Sequence, residues 1–188
     1  MMREIKKMSA SVREGYQILL RAEAELELPT DLERIHSYYL TLAEKCMTWA
    51  TEVHGEMLRR EFSELDDIHE KSLFRTQKYR FFTRCVWESD THLAMLCESY
   101  LFGQRTDPPN SYHRMSHVWN VGEQTVLPMG QVWQLFGKGL RPKDLPFLPD
   151  GIYPQGEELI FYKNPTSSTA FEEGASPMVK KEEKDVKE

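Results

Sequence analysis

At 188 residues with 40% apolar and 11% aromatic side chains, the chain has the content of one ordinary domain, since a disordered chain could not keep so many rings in water. The formal net charge is −6, with acidic and basic residues interspersed for most of the length; no basic face of the kind that neutralises phosphates is visible, which argues against a nucleic-acid partner. Cys46, Cys85 and Cys97 are too few and too oddly numbered for a disulfide framework, and no CxxC pair offers metal spacing.

The first nine residues carry charge but no apolar h-region of a secretory signal. No segment approaches the ~20 apolar residues of a membrane helix. As given, the chain reads as cytoplasmic, with reduced thiols and no membrane partner. Residues 1–13 are expected as a flexible N-terminus, 14–163 as a single α+β domain, and 164–188 as a mostly disordered charged tail.

Over residues 14–28, Ala22, Ala24, Leu26 and Leu28 alternate with Glu23, Glu25 and Glu27, the period of a strand with one wet face. Pro29 stops it. Thr30 and Glu33 have capping-box spacing, which predicts a helix start. Behind them Leu32, Ile35, Tyr39, Leu42, Ala43, Cys46, Trp49, Ala50, Val53 and Met57 recur at steps of three and four, one apolar stripe along about seven turns. Residues 64–71 are mostly charged and read as a break.

The period then becomes two. Tyr79, Phe81, Thr83, Cys85 and Trp87 alternate with Arg80, Phe82, Arg84 and Val86, and a second run follows from Leu93 to Ser99 beyond the turn formers of 88–91; this predicts a long antiparallel hairpin. Residues 103–110 hold Pro108 and Pro109 and cannot continue a strand, so they are expected as an exposed loop. A third strand is predicted over 112–120, a turn at Gly122-Glu123, a short strand over 125–127 and a short helical turn over 132–136 ended by Gly137. Phe147-Leu148 and residues 159–162 read as two last strands around Pro149-Asp150-Gly151. From 172 to 188 there are six acidic and four basic residues, which cannot bury enough apolar surface to offset ordering entropy. The predicted fold is α+β: an antiparallel sheet built on the long hairpin, with one long helix packed on a face.

The order of these elements, with the phrase Leu127-Pro128-Met129-Gly130-Gln131-Val132-Trp133-Gln134-Leu135-Phe136, then 147–153 and 159–162, resembles a bacterial domain of unknown function. That DUF3298-like domain is found in the extracytoplasmic part of the anti-sigma factor RsiV and beside the catalytic domain of the polysaccharide deacetylase PdaC. Thr125, Gly130 and 132–136 would fill the family's first phrase, 147–151 its second and 159–162 its third, with Trp133 or Gln134 where the family has an acidic residue. The resemblance covers roughly residues 14–180. It implies a fold and a preference for binding over catalysis, and it identifies no functional residue.

The remaining chemistry reads as structural. His113 and His117 on a strand stand ~13 Å apart at ~3.3 Å per residue, too far for one metal. Cys85 and Cys97 sit on facing strands and read as buried thiols, without the orienting third group a thiol enzyme requires. Asp66-Asp67 and Glu157-Glu158 lie in polar runs and read as solvated surface. No Gly-rich phosphate loop or GxSxG is present, so no catalytic residue, metal or cofactor is assigned. Both faces of the hairpin are partly apolar; one must cover the helix, and the other reads as a second core, with an oligomer contact or a partner surface as alternatives. The candidate partner-binding residues are Arg105 and Asp107 in the loop, with Phe82, Tyr112 and Trp119. The expected role is a non-catalytic binding or sensing module for a protein or peptide partner, or a homo-oligomer; the rival is a small hydrolase with a His/acid site assembled from loops.

Overall fold

The computed structural model describes residues 1–103, 111–139, 143, 145 and 147–164. It is a mixed α and β fold, as expected. Strands β1 (Arg3–Glu14), β2 (Gln17–Pro29), β3 (Gln77–Glu88), β4 (His92–Phe102), β5 (Ser111–Asn120) and β6 (Thr125–Val126) form one sheet in chain order. Every pair is antiparallel except β2 and β3. Parallel neighbours need a long crossover, and here it is the helical segment between them.

Residues 1–13 are not a flexible leader: from Arg3 onward they pair with β2 through a two-residue turn, Gly15-Tyr16, in which Gly15 takes φ +56°. Most β1 side chains face solvent and only Val12 is fully buried, so no apolar run marks the strand, although its backbone ladder extends along the whole of β2. The β2 alternation is as expected, with Ala22, Ala24, Leu26 and Leu28 buried and Glu23 and Glu25 exposed.

Helix α1 (Glu33–Thr48), a π turn (Trp49–His54) and α2 (Gly55–Ser63) make a continuous run of 31 residues packed on the sheet. The Thr30–Glu33 capping box does not form. Thr30 N–H donates to the Met2 carbonyl at 3.0 Å, which holds Thr30 at the end of the β1–β2 ladder, and the helix begins after Leu32 without a side-chain cap of its own. A distant residue serves instead: Gln124 Oε1 accepts from Arg34 N at 3.0 Å. Gln124 adopts φ 49° in the turn between β5 and β6.

The buried row of the helix is Ile35, Tyr39, Ala43, Met47, Ala50 and Leu58; Met47 and Leu58 lie outside the expected stripe, and Trp49, Val53 and Met57, which belong to it, are not buried. The π turn adds a residue to one turn of helix, and Trp49, Val53 and Met57 are left 44%, 54% and 52% exposed on its flank. Trp49 stacks on His54 and leans on Tyr79. Close approach is possible because residue 55 is glycine; a Cβ there would lie 2.7 Å from Val12 Cγ2. The break expected over 64–71 is shorter: α3 (Ile68–Leu73) occupies its second half, capped by Asp67, which accepts from His69 N at 3.0 Å.

The β3–β4 hairpin forms as predicted. Its register pairs Thr83 with Cys97 and Cys85 with Met95, so the two thiols are not direct cross-strand partners, and all three cysteines are free. Burial pushes each thiol up, that of Cys85 to about 11. A bulge at Val86 shifts the alternation. Cys85 consequently packs toward the helix, whereas Trp87 packs on the opposite side.

That opposite side carries a second layer: α4 (Met129–Phe136), β7 (Gly151–Gln155) and β8 (Glu158–Tyr162), the two strands forming a separate hairpin. Phe147-Leu148 is not a strand and Pro149-Asp150-Gly151 is not the turn. The turn is Gly156-Glu157, where Gly156 takes the left-handed conformation, φ +60°, that favours glycine at such a site. Two cores result. The larger lies between the helix and strands β1 to β5; the smaller joins Ala94, Leu96 and Val118 of the sheet to Val132, Ile152 and Phe161 of the second layer. The second apolar side of the hairpin is thus core over part of its area. No helix among the described residues is long and apolar enough to cross a membrane.

These burial patterns reverse the periodicity reading at two helix positions: Trp49 belongs to the expected stripe and Leu58 does not. Leu58→Ala, at a site 1% exposed, should destabilise by about 2–5 kcal/mol, whereas Trp49→Ala should cost less because nearly half of its surface is already solvated. Denaturant midpoints of the two variants check this ordering.

Candidate functional site

The second layer is two five-residue strands and an eight-residue helix, and it packs over β4, β5 and the end of β3. The sheet face that it leaves uncovered runs across β1, β2 and β3 into β4 and β5, and strand register fixes its side chains in transverse rows. One row is Lys7, Glu25, Phe82, Glu98 and Arg114; the next is Ser9, Glu23, Arg80, Tyr100 and Tyr112. Between β1 and β3 the face holds a groove of about 450 Å³ walled by Lys7, Glu23, Glu25, Arg80 and Phe82.

Charges on this face are paired along the rows. Lys7 Nζ lies 2.9 Å from Glu25 and Arg80 Nε 3.6 Å from Glu23. Glu98, though on a sheet face, is buried. Tyr112 donates to its Oε1 at 2.7 Å, Arg114 at 2.9 and 3.2 Å, and Arg84 lies 3.2 Å from its Oε2. Burial pushes the Glu98 carboxyl up, but the Tyr112 hydrogen bond and the Arg114 and Arg84 charges outweigh it and hold the group below its ordinary value. The stability this contributes is present above the ordinary carboxylate range and is lost as pH falls through the lowered value.

The cluster ties the two layers together. The Arg114 guanidinium lies over the Tyr112 and Tyr162 rings, 5.5 and 5.6 Å from their centroids, and Asn164 clasps the Arg114 backbone, accepting from its N–H at 2.6 Å and donating to its carbonyl at 3.0 Å. Tyr162 Oη donates to Ser116 at 3.2 Å. The covered half of the face is thereby fixed, and next to it four half-buried rings meet: Tyr100 lies 6.1 Å from Phe82, 6.2 Å from Phe102 and 4.9 Å from Tyr112.

Of the five candidate partner-binding residues, Phe82 and Tyr112 come together here. Trp119 does not: it is 3% exposed on the helix side of the sheet, inside the larger core, because its indole is needed to close the helix against β5. Arg105 and Asp107 lie outside the described residues, as do the rest of 104–110 and the tail from 165. The residues that sequence reasoning missed are Arg80, Arg84, Glu98, Tyr100 and Arg114. Their signal was present in the alternation of β3, where Arg80, Phe82 and Arg84 share one face. Glu98 and Arg114 needed the register of β4 against β5 to be found.

On the helix side, His117 occupies a cage of aromatic groups. Trp119 Nε1 donates to Tyr39 Oη at 2.7 Å, and Tyr39 Oη lies 3.1 Å from His117 Nδ1. His117 Nε2 lies 3.3 Å from Tyr38 Oη, so each ring nitrogen has a phenol partner. The cage suits a neutral imidazole, and burial pushes His117 down to about 4. His113, on the same strand face, is exposed. Among the described residues no three His, Cys, Asp or Glu side chains gather as a metal site would require.

Because the unfolded chain takes up the His117 proton near pH 6.5 and the folded chain only near pH 4, folding stability should fall as pH drops between those values, by roughly 3 kcal/mol in all. Denaturant unfolding of wild type and His117→Gln at pH 7, 5.5 and 4.5 checks this; the substituted chain should show the shallower dependence.

No family model matches the chain, and no curated protein matches it significantly. Solved structures are similar to it. A DUF3298 family protein from Pseudomonas aeruginosa PAO1 is 13% identical, covering 95% of this chain and 88% of that one, with a TM-score of 0.52. A member of the DUF3298 family from Bacteroides fragilis NCTC 9343 is 10% identical, covering 95% of this chain and 90% of that one, with a TM-score of 0.51. By class the chain is an α+β domain of one mixed sheet with a helix on one face and a small hairpin layer on part of the other. In particular, its fold is DUF3298-like.

Proposed function

We propose that the chain is a non-catalytic binding module of a bacterial, cytoplasmic protein, and that its partner, a protein or peptide, docks on the open face of the sheet at Phe82, Tyr100 and Tyr112. The observation that carries this reading is the rings of Phe82, Tyr100 and Phe102, half-buried on a face that the second layer stops short of covering. Solvent-facing sides of antiparallel sheets are ordinarily polar, and contiguous rings on such a face mark interaction sites. The charged pairs around them form the polar rim that interfaces carry.

The shared fold supports a DUF3298-like domain, and the bacterial sources of the two similar solved structures support a bacterial origin. Three unlinked thiols support a reducing compartment.

A photo-crosslinking phenylalanine analogue at position 82, in cells that express the chain, should yield a discrete covalent adduct, and the same analogue at the fully exposed Tyr16 on the β1–β2 turn should yield none. Equal labelling from both positions, or none from position 82, would contradict the assignment of the face.

A further inference from the structure

We infer that the occupant of the open face is an extended acidic peptide segment, with carboxylates two residues either side of an apolar side chain. This rests on the proposed binding face and adds the chemistry of its partner. The motif that carries it is on β3, where Lys78, Arg80, Phe82 and Arg84 project from one face at alternate positions. Arg80 and Arg84 thus stand on either side of Phe82, ~13 Å apart along the strand at ~3.3 Å per residue. An extended peptide has the same repeat, so a chain laid along β3 that sets an apolar side chain on Phe82 brings its acidic residues over the two guanidinium groups.

Both guanidinium groups have donors to spare. Arg80 meets Glu23 only at 3.6 Å, beyond hydrogen-bond distance, and Arg84 meets Glu98 through a single nitrogen. Their side chains are 45% and 56% exposed, accessible to a partner and already held near their positions. A guanidinium takes a carboxylate in bidentate fashion, and Tyr100 and Phe102 extend the apolar floor beside Phe82. A nucleic acid fits less well. Glu23, Glu25 and Glu98 flank the same rows, and a continuous run of phosphates would pass over all three, whereas two carboxylates set four residues apart lie nearest the two guanidinium groups.

An array of pentapeptides with acidic, basic or neutral residues at positions 1 and 5 and apolar or polar residues at position 3, probed with the full chain, tests this. Acidic residues at 1 and 5 with an apolar residue at 3 should be enriched. In fluorescence anisotropy the best of these peptides should bind about tenfold more weakly to Arg84→Gln and to Arg80→Gln, and more weakly again as ionic strength rises from about 0.05 to about 0.5 M. Arg80→Gln removes no partner of a buried group, so it carries the test if Arg84→Gln folds poorly. Enrichment of basic peptides whose binding disappears in Phe82→Ala would overturn the acidic partner and leave the face standing. Peptides bound equally well by Phe82→Ala, or no enrichment at all, would overturn both. Displacement of the acidic peptide by oligothymidylate at equal charge would overturn the peptide in favour of nucleic acid.

Discussion

The architecture depends on a mismatch of widths. Five long strands at ~4.8 Å spacing make a sheet wider than any single helix of ~10 Å diameter, and the described residues supply one long helix and one small hairpin layer over its two faces. The helix lies on one face with β2 beneath it, and side chains as large as Tyr39 and Trp119 fill the remaining distance to β5. The β7–β8 hairpin with α4 lies on the other face over β4 and β5. Among the described residues, what neither layer reaches is the second face of β1, β2 and most of β3, where paired charges surround Phe82.

The Glu98 cluster sits on the boundary between the covered and uncovered halves. A buried carboxylate is expensive unless its lone pairs are used, and here one tyrosine and two arginines use them. Arg114 is the hinge of this arrangement: its guanidinium is sandwiched by rings, its backbone is clasped by Asn164, and its charge reaches Glu98. The same contacts that anchor the second layer therefore position Tyr112 and Arg84 on the open side. On the helix side the His117 cage plays the corresponding part, joining α1 to β5 through the Tyr38, Tyr39 and Trp119 contacts. Each face of β5 thus carries one polar network, and both networks tie a covering layer to the sheet.

Much of this was legible from periodicity. The alternations over 22–28, 79–87 and 93–99 and the helical repeat from Ile35 onward mark β2, β3, β4 and the helix, because burial on one side forces those periods. Strand β1 was not legible, since its side chains are almost all solvated and only Gly15 signals the turn that pairs it. The π turn was equally hidden: Val53 and Met57 repeat in phase with the core, and the one residue that the turn adds rotates them out of it. The capping box at Thr30 failed because Thr30 is taken by the β-ladder. Parallel pairing of β2 with β3 has no local signature, and without it the rows that join Glu25 to Phe82 and Glu98 could not be assembled from sequence.

The half-covered sheet is tested most directly by hydroxyl-radical footprinting of the free chain in solution, read by mass spectrometry at individual rings. Phe82 and Tyr100 should be oxidised readily, while Phe161, fully buried within the second layer, and Trp119, 3% exposed beneath the helix, should be protected. Protection of Phe82 and Tyr100 equal to that of Phe161 would mean that the face is already covered in the free protein, and would contradict an open sheet waiting for a partner.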